Sequence, residues 1–154
     1  MKSPVRRLAF IPWVHRATHR ISLWLDSDEP RLEVSQGEAH LLAHLGEAGS
    51  CSVGDLHRAF AHKRSSLTSY LDRLEARGYV SRSPHPKDRR SFLVSLTTAG
   101  AAIAARVHRR LAVLETAAFH RLGARDVQSL RTALEALEDV GEARVQPARK
   151  RRAR

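Results

Sequence analysis

With one cysteine in 154 residues, the chain has no partner for an intramolecular disulfide and cannot build an all-thiolate metal site by itself. Aromatic residues are scarce at 5% while apolar residues reach 42%, a balance that fits a helical core packed from aliphatic side chains. No apolar run approaches the length that crosses a bilayer, and Met1-Lys2-Ser3-Pro4-Val5-Arg6-Arg7 is not followed by a signal-peptide core with a cleavage site. These absences predict a cytoplasmic protein with no membrane partner. No G-x-S-x-G, phosphate-cradling Gly-rich loop or H-E-x-x-H is present, so the chain is not read as an enzyme. No catalytic residue, cofactor or metal ligand is assigned. The length suits one domain with a real core and leaves little room for a second.

Negative charge is also in short supply, with 16 Asp and Glu against 27 Lys and Arg and a net charge of +11. The excess is localised. Between Lys63 and Arg90 eight cations face three anions, and between Arg144 and Arg154 six cations face none, so these two stretches hold the whole surplus. Charge gathered this way is the footprint of a polyanion partner rather than of general solubility. For the tail alone an anionic membrane competes, although a polybasic end without an apolar helix face or lipid site binds membranes weakly.

The stretch from Lys63 to Gly100 carries the clearest pattern. Leu67, Leu71 and Leu74 recur at helical spacing and form one apolar stripe, while the opposite face carries Arg64, Ser65, Thr68, Ser69, Asp72 and Arg73. Hydroxyls and arginines near a helix N-terminus suit entry into a major groove, where they reach base edges or phosphates. The plainer alternative is a solvated helix face. Gly78 stops the helix, Tyr79-Val80 opens an extended run, and Phe92, Val94 and Leu96 alternate with Leu93 and Ser95 as in a half-buried strand. Between the two strands the sequence predicts a loop, Ser83 to Ser91, stiffened by Pro84 and Pro86 and ending in Lys87-Asp88-Arg89-Arg90. Helix and basic hairpin together read as a winged helix-turn-helix.

The run Leu71-Asp72-Arg73-Leu74-Glu75-Ala76-Arg77-Gly78-Tyr79-Val80, followed by Asp88 to Gly100, resembles the multiple-antibiotic-resistance regulator (MarR) family. Its signature D-x-R-x-x-x-V-x-L-T-x-x-G is met at Asp88, Arg90, Val94, Leu96, Thr97 and Gly100, and the likeness extends by pattern over roughly residues 8–140. The resemblance implies a homodimeric transcription factor on double-stranded DNA, with a pseudo-palindromic operator, a recognition helix in the major groove and a wing arginine in the minor groove. By family habit it is a repressor released by a small-molecule effector or another signal. Carried over by position, Arg90 is the wing arginine and Asp88 the acid that orients it. The head of the helix departs from the family, with His62-Lys63 where a Ser or Thr cap is frequent. The DNA-binding set expected is Lys63, Arg64, Ser65, Ser66, Thr68, Ser69, Arg73, Lys87, Asp88, Arg89 and Arg90. Arg73 has two open uses, a phosphate contact or an ion pair with Asp88.

Taken in order, a first helix is expected from Ile11 near Pro12 to about Leu25, with Val14, Thr18, Ile21 and Leu25 on one side and Trp13 and Trp24 free for a partner chain. Asp26 to Arg31 ends it. Ser35 and Glu38 have capping-box spacing ahead of Ala39, Leu42, Ala43 and Leu45, and a third helix follows from Ser52 to about Phe60. Past the wing, Thr97 or Thr98 can cap a long helix through Ile103, Val107, Leu111, Leu114 and Ala118; Gly123 closes it, and Val127, Leu130, Leu134, Leu137 and Val140 stripe a last one. The last two helices lack a partner within the DNA-reading lobe, so a second copy is the economical cover. The fold class expected is mainly α with a small β-hairpin wing: a winged helix-turn-helix lobe at about 35–97, dimerisation helices at about 11–25 and 98–141, one domain over 1–143, and a basic disordered tail at 144–154.

The resemblance places effector pockets between dimer helices and lobe, where Trp13, His40 and His44 can contribute. It also makes His40 with His108 worth naming for a metal-responsive regulator, against the plainer reading of packed imidazoles; Cys51, in the turn before the third helix, can serve as a redox sensor or as a small buried thiol. A non-specific architectural DNA-binding protein is the competing class, favoured by the basic tail.

Overall fold

The computed structural model describes residues 8–27, 30–60 and 64–145, and within them the side chains of all but Arg64, Arg89, Arg90 and residues 142–145. The elements are α1 (Ile11–Asp26), α2 (Gln36–Ala48), β1 (Cys51–Ser52), α3 (Val53–Phe60), α4 (Arg64–Ala76), β2 (Val80–His85), β3 (Asp88–Leu96), α5 (Thr98–Phe119) and α6 (Ala124–Val145). Two compact units emerge, residues 1–111 and 112–154.

The first unit is built on aliphatic burial. Leu41, Leu42 and Leu45 of α2, Leu56 of α3, Leu67, Leu71 and Leu74 of α4, Val94 of β3 and Ala104 and Val107 of α5 form one core. The apolar stripe anticipated on α4 is therefore the face it buries. The first half of α5 also belongs here, contrary to the expectation that this helix has no partner beside the lobe. Small residues explain it: Ala104 comes within 3.5 Å of the point where a Cβ on Gly46 would stand, so the two backbones can approach closely.

Local chemistry sets the element ends. Pro12 lies in the first turn of α1, where its missing N–H costs nothing. At α2 the Ser35 hydroxyl accepts from the Glu38 N–H at 3.4 Å and the Glu38 carboxylate accepts from the Ser35 N–H at 2.7 Å, a complete capping box. Gly78, at φ 70°, closes α4: its N–H reaches the Glu75 carbonyl at 2.8 Å and the Tyr79 N–H reaches the Leu74 carbonyl at 2.9 Å. Thr97 then joins wing to α5, donating its hydroxyl to the Gly78 carbonyl at 2.6 Å and accepting the Gly100 N–H at 3.0 Å. The final glycine of the signature has a steric reason, since a Cβ at Gly100 would lie 1.8 Å from the Tyr79 carbonyl oxygen.

The sheet has strand order β1-β3-β2, antiparallel throughout. It corrects two expectations. Cys51, placed in a turn by sequence, sits on β1 opposite Val94, a two-residue strand too short to show periodicity. The predicted loop Ser83 to Ser91 is mostly ladder: Ser83 pairs with Leu93, Pro84 with Phe92 and His85 with Asp88, leaving Pro86-Lys87 as the turn. Pro84 is tolerated because β2 is an edge strand, and the register shift falls between Pro84 and His85.

In the second unit, α6 runs through Val145, two residues into the stretch assigned to the tail, and the rest of the tail lies outside the described residues. Phe119, Leu122, Leu130, Leu137 and Val140 are exposed there. No helix among the described residues is long and apolar enough to cross a membrane.

Candidate nucleic-acid interface

The α4 surface opposite its leucines is a row of small polar groups. Ser65, Thr68 and Ser69 are exposed and Ser66 is half-buried; the Ser69 hydroxyl donates to the Ser65 carbonyl at 2.9 Å, as serines inside helices do. Lys63 lies outside the described residues, and the Arg64 side chain is likewise not described. Of the wing set, Lys87 and Asp88 are exposed at the hairpin turn, where the Lys87 N–H donates to His85 Nδ1 at 3.2 Å. Arg89 and Arg90 are placed on β3 by their backbone, immediately after Asp88; their side chains are not described. The hairpin outruns the core, as Val94 is fully buried and Phe92 is 50% exposed.

Within the subunit Arg73 pairs with Glu38 rather than with Asp88. Its Nε lies 2.6 Å from Glu38 Oε1, and its guanidinium sits 5.2 Å from the centre of the Tyr70 ring. Glu38, read from sequence only as a capping residue, is the one charged residue buried among those described. Burial acts to raise its pKa, but the Ser35 N–H, the Arg73 guanidinium and the Ser35 hydroxyl outweigh it, and the carboxyl titrates below its ordinary 4.5. Arg77 stands 3.8 Å away on the same acid. Its guanidinium also meets the carbonyl of Glu33, whose φ of 50° is a left-handed conformation uncommon for glutamate. Beside this cluster Gly37 lets α2 and α4 touch, since a Cβ there would come within 2.7 Å of the Tyr70 ring. Nothing in the leucine periodicity announces this joint; only the Ser35–Glu38 spacing hints at it.

Wing and helix are tied by Arg82 on β2, which reaches Asp72 at 2.6 Å and Glu75 at 3.4 Å. Sequence reading missed that residue. Its sole signal was a cation in an otherwise ordinary strand.

The other candidates lie apart from this surface. Trp13 is exposed on α1 with the Arg16 guanidinium 5.4 Å from its ring centre, His44 packs edge-on against Phe60 at 5.1 Å, and His40 is half-buried. His108 pairs with Glu47 at 3.4 Å. Both line a groove of about 450 Å³ with Leu45, Leu96, Ala104 and Arg109, a set that contains none of the three expected pocket residues. Among the described residues no group of three or more His, Cys, Asp or Glu is arranged to hold a metal ion. Burial pushes the Cys51 thiol up, and Asp55 adds to the effect, the opposite of the environment that activates a thiolate. Trp24, anticipated at a partner surface, is half-buried in its own chain: its indole N–H donates to the Arg110 carbonyl at 3.1 Å and its ring lies 4.3 Å from the Arg110 guanidinium.

A helix with a hydroxyl-lined face, preceded by a short helix and followed by the projecting hairpin of a three-stranded sheet, defines a winged helix-turn-helix protein. Residues 34–92 match the MarR family. The multiple antibiotic resistance protein MarR of Escherichia coli is 30% identical over 95 residues, 62% of this chain and 66% of that protein. Its Salmonella typhimurium counterpart is 34% identical over 79 residues, 51% of this chain and 55% of that protein. The chain thus matches less than two thirds of the length of these relatives. Over a longer span, a mutant E. coli MarR complexed with operator DNA superposes with a TM-score of 0.68 at 28% identity, covering 82% of this chain and 91% of that one. Residues 34–92 are thus a MarR-family segment, a family whose members are transcription regulators and not enzymes, and the longer likeness in fold is to MarR structures.

Proposed function

We propose that this protein is a cytoplasmic, homodimeric repressor that binds a pseudo-palindromic operator in double-stranded DNA and is released by a small-molecule or other signal. One observation carries the DNA reading: the exposed Ser65, Thr68 and Ser69 of α4 and the Lys87-Asp88 turn belong to elements joined through Arg82, in a fold similar to a relative solved on operator DNA. In this reading α4 enters the major groove and Lys63, Arg64, Ser65, Ser66, Thr68 and Ser69 contact bases or phosphates. Lys87, Arg89 and Arg90 follow the minor groove, with Asp88 orienting Arg90. Arg73 contributes mainly by holding α4, because Glu38 engages its Nε.

Exposed Leu130, Leu137 and Val140 on α6 support the dimer, since apolar side chains repeating along one helix are costly to leave in water. Two-fold symmetry sets recognition helices about 34–36 Å apart, one turn of duplex. The groove lined by Leu45, Ala104, His108 and Arg109 has an apolar floor and a charged rim, which supports a small amphipathic effector, with Trp13, His40 and His44 as further pocket candidates.

Footprinting on the protein's own promoter, with light scattering at micromolar concentration, tests the proposal. Protection of two half-sites one turn apart by a dimer is expected. A stable monomer, or uniform coating of any duplex at equal affinity, would replace it with the architectural reading.

A further inference from the structure

Arg82 lies two residues into β2, and its guanidinium meets two carboxylates of α4 through different nitrogens: Nη2 to Asp72 Oδ1 at 2.6 Å and Nη1 to Glu75 Oε2 at 3.4 Å. Asp72 and Glu75 are three apart, so they share one helix face, and a planar fork can hold both at once. The arginine side chain is only 25% exposed, which sets it apart from a freely solvated surface cation. Ion pairs this close to solvent add little to stability, so folding energy does not account for the arrangement.

Its geometric consequence is larger. Beyond Val94 the hairpin has no core beneath it, as the exposure of Phe92 shows, and β2 is an edge strand bonded to β3 alone. An outer hairpin held by one ladder can swing against α4. A protein that places α4 in one groove and the hairpin turn in the next must hold the two at a set angle, or one contact is made at the expense of the other. The same pairing also offsets one of two negative charges on a surface meant for phosphates.

We propose that Arg82 is a positioning residue for DNA reading: by clasping Asp72 and Glu75 it fixes the wing relative to α4 and so sets operator specificity without itself touching DNA. This rests on the DNA-reading function proposed above. Lysine, a point charge with one strong partner at a time, satisfies only part of the requirement.

The test compares the full-length wild type with Arg82→Ala, Arg82→Lys and the double variant Asp72→Asn with Glu75→Gln. One arm needs no DNA. Hydrogen exchange should quicken for hairpin amides between Ser83 and Phe92 in Arg82→Ala and in the double variant, with α2 and α5 unchanged; an unaltered hairpin, or equal quickening everywhere, overturns the positioning role. The other arm titrates an operator selected from a random duplex library, alongside random duplex. In Arg82→Ala the operator-to-random affinity ratio should fall roughly fivefold or more, the scale of one mismatched base pair. Arg82→Lys should restore part of it. In the double variant the ratio should fall while random-duplex affinity rises, because two negative charges are removed. If both affinities in Arg82→Ala drop by one common factor, Arg82 is a phosphate contact and the proposal fails. A wild type that selects no operator defeats the DNA reading itself, whatever the exchange data show.

Discussion

Glu38, 1% exposed at the first turn of α2, receives the Arg73 guanidinium of α4 at 2.6 Å. The acid is buried and the base is half outside, so the two ends of this pair are not equivalent. Removing Arg73 strands a buried carboxylate with Ser35 and the more distant Arg77. Replacing Glu38 with Gln frees Arg73 into water and removes the buried charge, while the amide oxygen can still accept from the Ser35 N–H. Both substitutions should destabilise the fold, Arg73→Ala by about 1–3 kcal/mol and Glu38→Gln by about 1–2 kcal/mol, with the double variant losing less than their sum. Urea unfolding of the four proteins checks the cycle. Additive losses would mean that the pair is not coupled.

The same carboxyl predicts acid sensitivity. Its pKa is lower folded than its ordinary 4.5, so the unfolded chain takes up the proton first as pH falls. The stabilisation is complete above that ordinary value and is lost as pH drops through the lowered folded value. Asp55, held low by its hydrogen bonds from Ser52 and then by Arg58, acts in the same direction from an exposed site. Urea midpoints followed from neutral pH down to about pH 3 should fall less steeply in Glu38→Gln than in wild type. Equal slopes would assign the acid loss to exposed carboxylates instead.

Three glycines predict three different results. At Gly100 an added Cβ overlaps the Tyr79 backbone at 1.8 Å and no side chain can yield, so Gly100→Ala should cost about 3 kcal/mol or more. Gly78→Ala meets no atom but must hold φ near 70°, and about 1–2 kcal/mol is expected. Gly141 meets nothing and lies inside α6, so Gly141→Ala should stabilise by about 0.5–1 kcal/mol. Thermal unfolding ranks the three, and a harmless Gly100→Ala would contradict the packing described.

These contrasts mark what a single sequence reveals. Leucine spacing predicts helices because one buried face repeats every turn, and Leu67, Leu71 and Leu74 are buried as their spacing requires. Ser35–Glu38 and Gly78 are legible because capping is local chemistry. Pro84 misled because a proline reads as a strand breaker unless the strand is known to be an edge, and edges are a property of the sheet. Arg73 and Arg82 could not be assigned partners, since Glu38 lies 35 residues before Arg73 in sequence and the Arg82 clasp depends on how β2 lies against α4. The burial of Glu38 is the extreme case: a charged residue reads as surface until its partners are placed.

In the proposed DNA-binding function the wing reads sequence, and the basic stretch Arg149 to Arg154 adds affinity without reading. Arg90 stands in the hairpin, where a guanidinium can enter a narrow minor groove, so Arg90→Ala should weaken operator binding by roughly 1–3 kcal/mol per affected subunit and random-duplex binding less. Deleting Arg149 to Arg154 should lower both affinities together, leave their ratio nearly unchanged and flatten the salt dependence by about 0.9 for each phosphate no longer neutralised. Titrating both variants against operator and random duplex at several salt concentrations tests this most directly. A collapsed ratio in Arg90→Ala with a preserved ratio in the tail deletion is the predicted result; a tail deletion that abolishes specificity while Arg90→Ala keeps it would contradict the account.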